Sequence, residues 1–317
     1  MGGGLVLGLL LGNVIPAFQS HRACEEQYPL LNGHFICGGQ STVGKQGYAT
    51  TENALVSYFE EELEKGTIED GGLYFRDLYF GPIFGIRADA DFAPASLLKV
   101  PLAMTYLRLA EEHPALLREE LSFSSSVEDF EATSHTQQFP SPQKLKRDEG
   151  YTIEKLLEYM VAYSDNYAYE LLYNYLAMKA PGELLTTYRE LGIILPTSDL
   201  EETITVKDFS TVLRILYTAT YLSPERSQQI LTWLSEYHIP QGLVAGVPEE
   251  VTVASKFGER FLEGGSKQFH NCGIIYYPGN PYLLCVMTKG REWDDLTRIV
   301  EQVSRIIYEE VDARNNR

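Results

Sequence analysis

The chain has 317 residues, which is enough for one large domain or two smaller ones, and 44% of them are hydrophobic and 22% charged. This composition is that of a globular protein and excludes both a disordered chain and a disulfide-dependent mini-protein. The 44 acidic residues outnumber the 26 basic ones, and the formal net charge of −18 repels a phosphate backbone, so we expect no nucleic-acid partner.

The N-terminal segment differs from the rest of the chain. Residues 5–18 are apolar and uncharged, but they are fewer than the roughly 20 residues that cross a bilayer, and no basic stretch precedes them. We predict an apolar membrane anchor or signal-like segment over residues 1–20 and a connector over residues 21–48. This segment predicts membrane association and a place outside the cytoplasm, anchored or secreted; a glycine-rich disordered start is the alternative.

Four cysteines allow three pairings if all of them are joined. Cys24 and Cys37 lie in the polar connector, where a disulfide outside the cytoplasm would close a small loop. With His21 and His34 they also form a two-histidine, two-cysteine set of the kind that binds zinc. Nothing else in the sequence supports a metal site, and we predict none.

The first predicted elements after the connector are a helix and a hairpin. Hydrophobic residues at helical spacing follow Thr51, which we predict to be the cap of this helix. Two strand-like runs, 72–78 and 84–87, are joined through Gly81 and Pro82 and predict a β-hairpin.

The middle of the chain is predicted to be mainly helical. Residues 96–112 are mostly apolar and predict a buried helix. Residues 124–150 are rich in serine, proline and charge and predict a surface loop. Helical patterns then continue over residues 152–237.

The C-terminal part returns to strands and ends in a helix. Three runs, 251–257, 273–277 and 282–288, have the pattern of strands, and an amphipathic helix begins at Asp294. A tight turn at residues 279–280 would make the last two strands a hairpin.

The position of that turn decides how the last two cysteines face each other. A two-residue turn at Gly279 and Asn280 places Cys285 opposite Ile274 and not opposite Cys272. The sequence therefore leaves a disulfide and two buried free thiols equally open.

The order of elements predicts the fold class. We expect a layered α/β (α+β) domain over residues 49–317, in which the N- and C-terminal segments build one antiparallel sheet flanked by helices and the middle forms an all-helical subdomain. The crevice between these layers is the expected site.

The first candidate motif joins a hydroxyl and an amine. Ser96 and Lys99 are three residues apart at the start of a predicted helix, so both project from one face and can form a hydrogen bond. A serine needs such a base, and a lysine serves only where burial lowers its pKa. The same spacing recurs at Ser141 and Lys144, but that copy lies in a polar loop with nothing to depress a lysine, and we discard it.

Two further motifs strengthen the first. Ser164-Asp165-Asn166 falls between two apolar helical segments and supplies a hydroxyl and an amide. Lys256-Phe257-Gly258 ends a strand-like run and supplies positive charge and a glycine that permits close approach.

The three motifs, in this order, resemble the signature of class A β-lactamases and penicillin-binding proteins. The likeness runs from about Tyr48 to the C-terminus and is greatest over residues 92–101 (FAPASLLKVP) and 151–166 (YTIEKLLEYMVAYSDN). The resemblance implies the β-lactamase/transpeptidase-like fold, no cofactor, and a β-lactam or D-alanyl-D-alanine-type peptide as substrate.

The resemblance also implies a role for each site residue. Ser96 is the acylated nucleophile, Lys99 its base, and Ser164 the relay to the departing ring nitrogen. The resemblance further implies that the Asn166 amide and the Lys256 amine hold the substrate. Gly258 lets the substrate lie close to the backbone of the strand, and the backbone N–H of Glu259 forms one half of an oxyanion hole. The side chain of Glu259 is expected to be an exposed carboxylate.

The third motif departs from the family pattern. Its middle position is normally serine or threonine, whose hydroxyl bonds the substrate carboxylate, but here it is Phe257. His270 or Arg260 is a candidate replacement, although we expect both on the surface.

A second departure concerns deacylation. Class A β-lactamases carry a glutamate and an asparagine on a loop after the second motif, whereas residues 193–202 (IILPTSDLEE) contain no such pattern. Glu201 or Glu202 is the remaining candidate for activating water, although a solvated position at a helix start is the expectation for both.

These motifs predict a monomeric serine hydrolase that opens β-lactam rings through an acyl-enzyme at Ser96. A D-alanyl-D-alanine peptidase or penicillin-binding protein with slow deacylation is the first alternative. A non-catalytic module that binds or senses wall fragments is the second.

Overall fold

The protein is described by a computed structural model. It describes residues 23–37, 47–79, 81, 83–122, 137–143, 145–146, 148–193 and 203–316. The predicted anchor over residues 1–20 and the glutamates at 201 and 202 lie outside these ranges. No helix within them is long and apolar enough to cross a membrane.

The helices of the described ranges follow the predicted order. They are α1 (Gly33–Ile36), α2 (Ala49–Glu64), α3 (Lys99–Glu112), α4 (Ile153–Ala162), α5 (Asn166–Lys179), α6 (Glu183–Glu190), α7 (Val206–Tyr217), α8 (Pro224–Glu236) and α9 (Trp293–Asn315).

Side-chain caps explain where several of these helices begin. Thr152, Asp165, Thr205 and Ser223 each accept a hydrogen bond from the backbone N–H three residues further on, at the starts of α4, α5, α7 and α8. Such a cap satisfies one of the N–H groups that the first helical turn leaves without a partner. Pro224 adds a residue that needs no donor at the first position of α8.

The strands form one large sheet and two short pairs. They are β1 (Asp70–Asp77), β2 (Ile83–Ile86), β3 (Asp91–Phe92), β4 (Glu120–Ser122), β5 (Gly150–Thr152), β6 (Ile204–Thr205), β7 (Val253–Phe261), β8 (Lys267–Ile275) and β9 (Tyr282–Gly290). The five-stranded antiparallel sheet has the order β2-β1-β9-β8-β7, while β3 pairs with β6 and β4 with β5. The two ends of the chain therefore build one sheet, which confirms the predicted fold class.

Both faces of this sheet are buried. On β9, Leu284 and Val286 belong to the core that includes α2 and α9, whereas Leu283 and Met287 belong to the core that includes α3, α4, α7 and α8. Alternate residues of a strand point to opposite faces, so a strand covered on both sides reads as a continuous apolar run. The protein thus has three layers, with the sheet between two layers of helices.

The turn between β8 and β9 is centred one residue earlier than the sequence predicts. Asn280 donates its N–H to the carbonyl of Tyr277, and Gly279 has a φ of +75°, so Pro278 and Gly279 are the central residues of the turn. Proline followed by a glycine of positive φ is typical of a type II turn. The predicted turn at 279–280 was therefore wrong.

This shift brings the last two cysteines together. Ile275 pairs with Tyr282, which places Cys272 directly opposite Cys285, and the two form a disulfide. The predicted pairing of Cys285 with Ile274 was wrong for the same reason.

The segment at 23–37 packs against the helical layer. Leu31 is buried in that core, and the N–H of Asn32 donates to the carbonyl of Tyr217 over 2.9 Å. Cys24 and Cys37 form a disulfide, which leaves neither sulfur as a thiolate, so the zinc alternative was wrong. No cluster of potential metal ligands occurs elsewhere in the described ranges.

Candidate active site

Ser96 lies in a short turn between the sheet and a buried helix. The chain leaves β3, forms a 3₁₀ turn over Ala95–Leu98, and enters α3 at Lys99. The predicted helix over 96–112 therefore begins later as an α-helix, and Ser96 precedes it. Ala95 has a φ of +48°, a conformation that costs a residue with a Cβ about 1 kcal/mol or more. The turn that presents Ser96 is held in a strained shape.

Lys99 is buried and donates to the second motif. Its side chain is 3% exposed, and Nζ lies 2.6 Å from the Ser164 carbonyl, 3.3 Å from Ser164 Oγ and 2.6 Å from Asn166 Oδ1. The hydrogen bond that we predict between Ser96 and Lys99 is not among those of the described residues. The structure thus joins the amine of the first motif to the second motif.

Burial changes the acid–base chemistry of Lys99. Loss of hydration lowers its pKa from 10.5 to about 7, and the negative charges of Asp165 and Glu259 oppose this shift. An amine with a pKa near neutrality is partly unprotonated under physiological conditions and can accept a proton.

The second motif occupies the junction of α4 and α5. Asp165 caps α5 by accepting the N–H of Ala168 over 2.8 Å, as the helix-cap interpretation of this triplet requires. Ser164 has a φ of +57° and is 1% exposed. Because Asp165 alone serves as the cap, Ser164 and Asn166 are left to contact Lys99.

Lys256 lies within β7 and not at the end of that strand. It is 1% exposed, and its Nζ lies 3.3 Å from the Phe257 carbonyl and 4.5 Å from the centre of the Phe257 ring. Loss of hydration, followed by the nearby charge of Lys99, lowers the pKa of Lys256 well below its usual value. Strand β7 runs on to Phe261, so the predicted end of this strand at 257 was too early.

Gly258 brings the edge strand against the Ser96 turn. A Cβ at this position would lie 3.2 Å from the Pro94 carbonyl oxygen and 3.4 Å from both Ala95 Cβ and Leu97 Cγ. Contacts at this distance leave little room for a side chain. The glycine therefore permits close approach, as the sequence indicates, but the group that approaches is the protein's own chain.

The carboxylate of Glu259 is not an exposed strand end. It accepts the backbone N–H of Gln138 over 2.9 Å and that of Phe139 over 3.2 Å. Burial raises the pKa of this carboxyl, against the effect of those two N–H groups and of the lysines at 99 and 256. The side chain thus anchors residues 137–143, named here the β7 strap, on the edge of the sheet.

Phe257 belongs to an aromatic cluster beneath the β7 strap. Its ring lies 6.1 Å from that of Phe139, which also contacts Phe269 at 5.6 Å and Trp293 at 6.1 Å. Edge-to-face pairs at these distances stabilise by about 0.5–1.5 kcal/mol each. The residue that replaces the usual hydroxyl therefore has a packing role.

His270 was predicted on the surface, and this was wrong. The side chain is 0% exposed, and its Nε2 lies 3.0 Å from the carbonyl of Ala93. Arg260 is partly exposed on β7, as a surface position requires. His270 therefore does not replace the missing hydroxyl of the third motif.

A small cavity lies next to Lys256, between the end of α4, the chain after α8 and strand β7. Neither Ser96 nor Lys99 lines this cavity, so the crevice expected as the site stays a prediction. Besides Lys256, its polar lining includes Ser255 on β7 and His238 in the chain after α8, with Ser255 Oγ 3.4 Å from His238 Nδ1. Neither residue was identified from the sequence, because each is an isolated polar residue outside any motif.

Solved structures share this fold. One is PBP-A, described as an L158E mutant in an acyl-enzyme complex with penicillin G; it is 20% identical and has a TM-score of 0.70 over 86% of this chain and 100% of that one. Another is a class A β-lactamase from Mycobacterium abscessus, which is 24% identical with a TM-score of 0.68 over 83% of this chain and 99% of that one. The fold is therefore that of the β-lactamase/transpeptidase-like class.

The family follows from the sequence. The model of the β-lactamase enzyme family matches residues 54–311, and β-lactamase 1 of Streptomyces cacaoi is 27% identical over 274 residues, which cover 79% of this chain and 82% of that protein. The chain belongs to the β-lactamase enzyme family.

Proposed function

We propose that the protein is a serine hydrolase that opens β-lactam rings through an acyl-enzyme at Ser96. The observation that carries this proposal is Lys99, a fully buried amine with a pKa of about 7 that lies one turn from Ser96 and contacts Ser164. A buried ammonium group lacks the hydration that stabilises its charge, so burial favours the neutral amine. A neutral amine is the base that a serine nucleophile requires.

The proposed reaction has two steps. Ser96 Oγ attacks the carbonyl carbon and passes its proton to Lys99 Nζ; the ring C–N bond then breaks, and the nitrogen receives a proton from Lys99 through Ser164 Oγ. Water next adds to the ester carbonyl and releases Ser96 with its proton restored. Hydrogen bonds between a nucleophile and its base are often long without substrate and tighten in the complex, so the Ser96 hydroxyl is expected to turn toward Lys99 on binding.

The remaining site residues would hold the substrate. Asn166 Oδ1 accepts a hydrogen bond from Lys99 Nζ over 2.6 Å, which leaves its amide N–H groups for an acyl-amide oxygen. Lys256 would bind a substrate carboxylate, whose negative charge favours the protonated amine that burial disfavours. The backbone N–H groups of Ser96 and Glu259 would bind the developing oxyanion, a contribution of about 3–4 kcal/mol per donor in other enzymes.

A D-alanyl-D-alanine peptidase or penicillin-binding protein with slow deacylation is the second candidate. The observation that favours it is the sequence at 193–202, which lacks the deacylating glutamate and asparagine of class A β-lactamases. Glu201 and Glu202 lie outside the described residues, so neither is placed at the site. Both candidates share the acylation step at Ser96 and differ in the lifetime of the ester.

We further propose that the protein acts outside the cytoplasm, as a monomer with its catalytic domain over residues 49–317. The two disulfides support this location, because disulfides persist in oxidising compartments. Whether the N-terminal segment anchors the protein or is removed does not affect the chemistry at Ser96.

Labelling with a fluorescent penicillin tests the proposed nucleophile. Wild type should be labelled covalently, and Ser96→Ala should not be labelled, because the ester oxygen is absent. Ser141→Ala is the matched control, since Ser141 begins the second Ser-x-x-Lys of the chain and bonds within its own loop. Equal labelling of wild type and Ser96→Ala would remove Ser96 from the mechanism, and retained binding without any adduct would favour the non-catalytic module.

Turnover of nitrocefin separates the two catalytic candidates. With excess substrate, a β-lactamase continues after the first equivalent of product, whereas a protein with slow deacylation stops after a stoichiometric burst. A burst that ends at one equivalent would contradict the β-lactamase and support the peptidase.

A further inference from the structure

Two buried side chains of the sheet hold the chain just before the Ser96 turn. Gln268 Oε1 accepts the N–H of Ala93 over 2.9 Å, and His270 Nε2 lies 3.0 Å from the carbonyl of the same residue. Gln268 is 6% exposed and His270 is 0% exposed. The backbone N–H and the carbonyl of Ala93, three positions before Ser96, are therefore both bound by side chains of β8.

The register of the sheet explains how two side chains reach one residue. Gln268 and His270 are two apart on β8, so they point to the same face of the sheet. Gly258 is the partner of His270 on β7, and it is the glycine that contacts the chain at Pro94 and Leu97. These three residues form one surface under the Ser96 turn.

The chemistry of the histidine also points to this contact. A carbonyl oxygen only accepts, so the ring must carry a proton on Nε2 to bond Ala93. The other ring nitrogen, Nδ1, is buried and has no hydrogen-bond partner in the described part of the chain. Burying a polar atom without a partner costs about 1–3 kcal/mol. The imidazole ring of His270 is therefore buried at the cost of one unpaired nitrogen, and its other nitrogen contacts Ala93.

The shape of the turn explains why it must be held. Ala95 has a positive φ, and such a conformation persists only where the surroundings fix it. If Ala93 were free, the turn could relax and move Ser96 away from Lys99. A displacement of about 1 Å of a reacting group is enough to slow a reaction roughly 100-fold.

We infer that Gln268 and His270 are positioning residues, which hold Ser96 in its reactive place by fixing both peptide groups of Ala93. This inference rests on the proposed function, in which Ser96 is the nucleophile. Neither side chain touches the substrate in this account, so both act on the acylation step and not on the initial binding.

The experiment compares isosteric variants of the full chain. Gln268→Met and His270→Leu remove the two hydrogen bonds, and Thr288→Val is the matched control, because Thr288 is 0% exposed and bonds the Phe269 carbonyl over 2.7 Å on the neighbouring strand. Stopped-flow labelling with a fluorescent penicillin gives the acylation rate constant and the dissociation constant of the initial complex separately. Thermal unfolding measures the loss of stability in each variant.

The two β8 variants should lower the acylation rate constant roughly 10- to 100-fold and leave the dissociation constant within about twofold. Thr288→Val should lose comparable thermal stability and keep its acylation rate. Gln268→Glu keeps an acceptor and His270→Gln keeps a donor, so both should recover most of the rate and provide folded variants if the others do not fold. The inference would be overturned if the acylation rate of every variant, Thr288→Val included, fell in proportion to its loss of thermal stability.

The outcome for wild type separates this inference from the proposed function. If wild type forms the penicillin adduct and the β8 variants acylate normally, only the inference fails. If wild type forms no adduct and hydrolyses no penicillin, the proposed function fails, and the same comparison is made with a fluorophosphonate, which phosphonylates a reactive serine with loss of fluoride. Equal fluorophosphonate rates in wild type and the β8 variants, or no reaction at Ser96, would then overturn the inference as well.

Discussion

Lys99 shows how the surroundings of one side chain define its chemistry. Burial lowers its pKa to about 7, so below that pH the amine carries a proton and cannot accept another from Ser96. We expect the second-order rate constant of acylation to fall about tenfold for each pH unit below 7 and to level off above it. Stopped-flow acylation across this range measures the profile.

The control for this profile is Lys99→Arg, which keeps the positive charge but has no neutral form near neutral pH. Above pH 7 it should acylate about 10²- to 10⁴-fold more slowly than wild type, the range typical of a lost general base, and its rate should lack the decline of wild type below pH 7. A wild-type rate that rises only near 10.5, the usual pKa of a lysine, would show that burial does not lower the pKa of Lys99, and equal rates in wild type and Lys99→Arg would show that Lys99 is not the base.

Gly258 allows a second prediction for a single residue. Gly258→Ala adds a Cβ 3.2 Å from the Pro94 carbonyl, so the edge strand or the Ser96 turn must move. We expect a loss of about 1–3 kcal/mol of stability and slower acylation. Gly47→Ala is the control, because no atom lies within 4 Å of the added Cβ. Equal stability and acylation in the two variants would contradict the close contact.

His270 marks the limit of prediction for single residues. Three ordered motifs indicated Ser96, Lys99 and Ser164 as candidate site residues, and the family resemblance of those motifs implies their roles. The partner of His270 is Ala93, which is 177 positions away in the chain. A lone histidine carries no signal for such a contact, so its role required the register of β7 and β8.

Among the structural elements, the β7 strap gives a third prediction. Glu259 binds the two amide groups at 138 and 139, and Phe139 packs in the aromatic cluster with Phe257. Glu259→Ala should release these amides, and hydrogen exchange should show faster exchange at Gln138 and Phe139. A carboxylate that accepts two N–H groups contributes about 1.5–3 kcal/mol per charged hydrogen bond, so the loss of protection should be about tenfold or more.

Glu263→Ala is the control for the strap, since Glu263 is an exposed carboxylate in the turn that follows the same strand. Exchange at residues 138 and 139 should be unchanged in this variant. Unchanged exchange in Glu259→Ala as well would show that the aromatic cluster alone holds the strap.

The hairpin between β8 and β9 shows what the sequence does and does not determine about an element. Nearly continuous apolar runs identified both strands, because a strand that is buried on both faces is apolar at consecutive positions. Their register depended on whether Pro278-Gly279 or Gly279-Asn280 is the centre of the turn. A shift of the turn by one residue moves every cross-strand pair by two positions, and it decides whether Cys272 meets Cys285.

At the scale of the whole molecule, the sequence predicted the layers better than the contacts between them. The sheet built from both chain ends was expected from the order of elements. The contacts of the Ser96 turn with β7 and β8 join segments that are more than 160 positions apart. Such contacts depend on the packed tertiary structure, which the pattern of each segment does not contain.

The most direct test of the central claim is the intact mass of the protein over time after mixing with penicillin. The account predicts that one adduct of the mass of the whole antibiotic forms on wild type, that Ser96→Ala forms none, and that the adduct then decays as water releases the ester. An adduct on Ser96→Ala, or a wild type that forms no adduct and consumes no penicillin, would contradict an acyl-enzyme at Ser96.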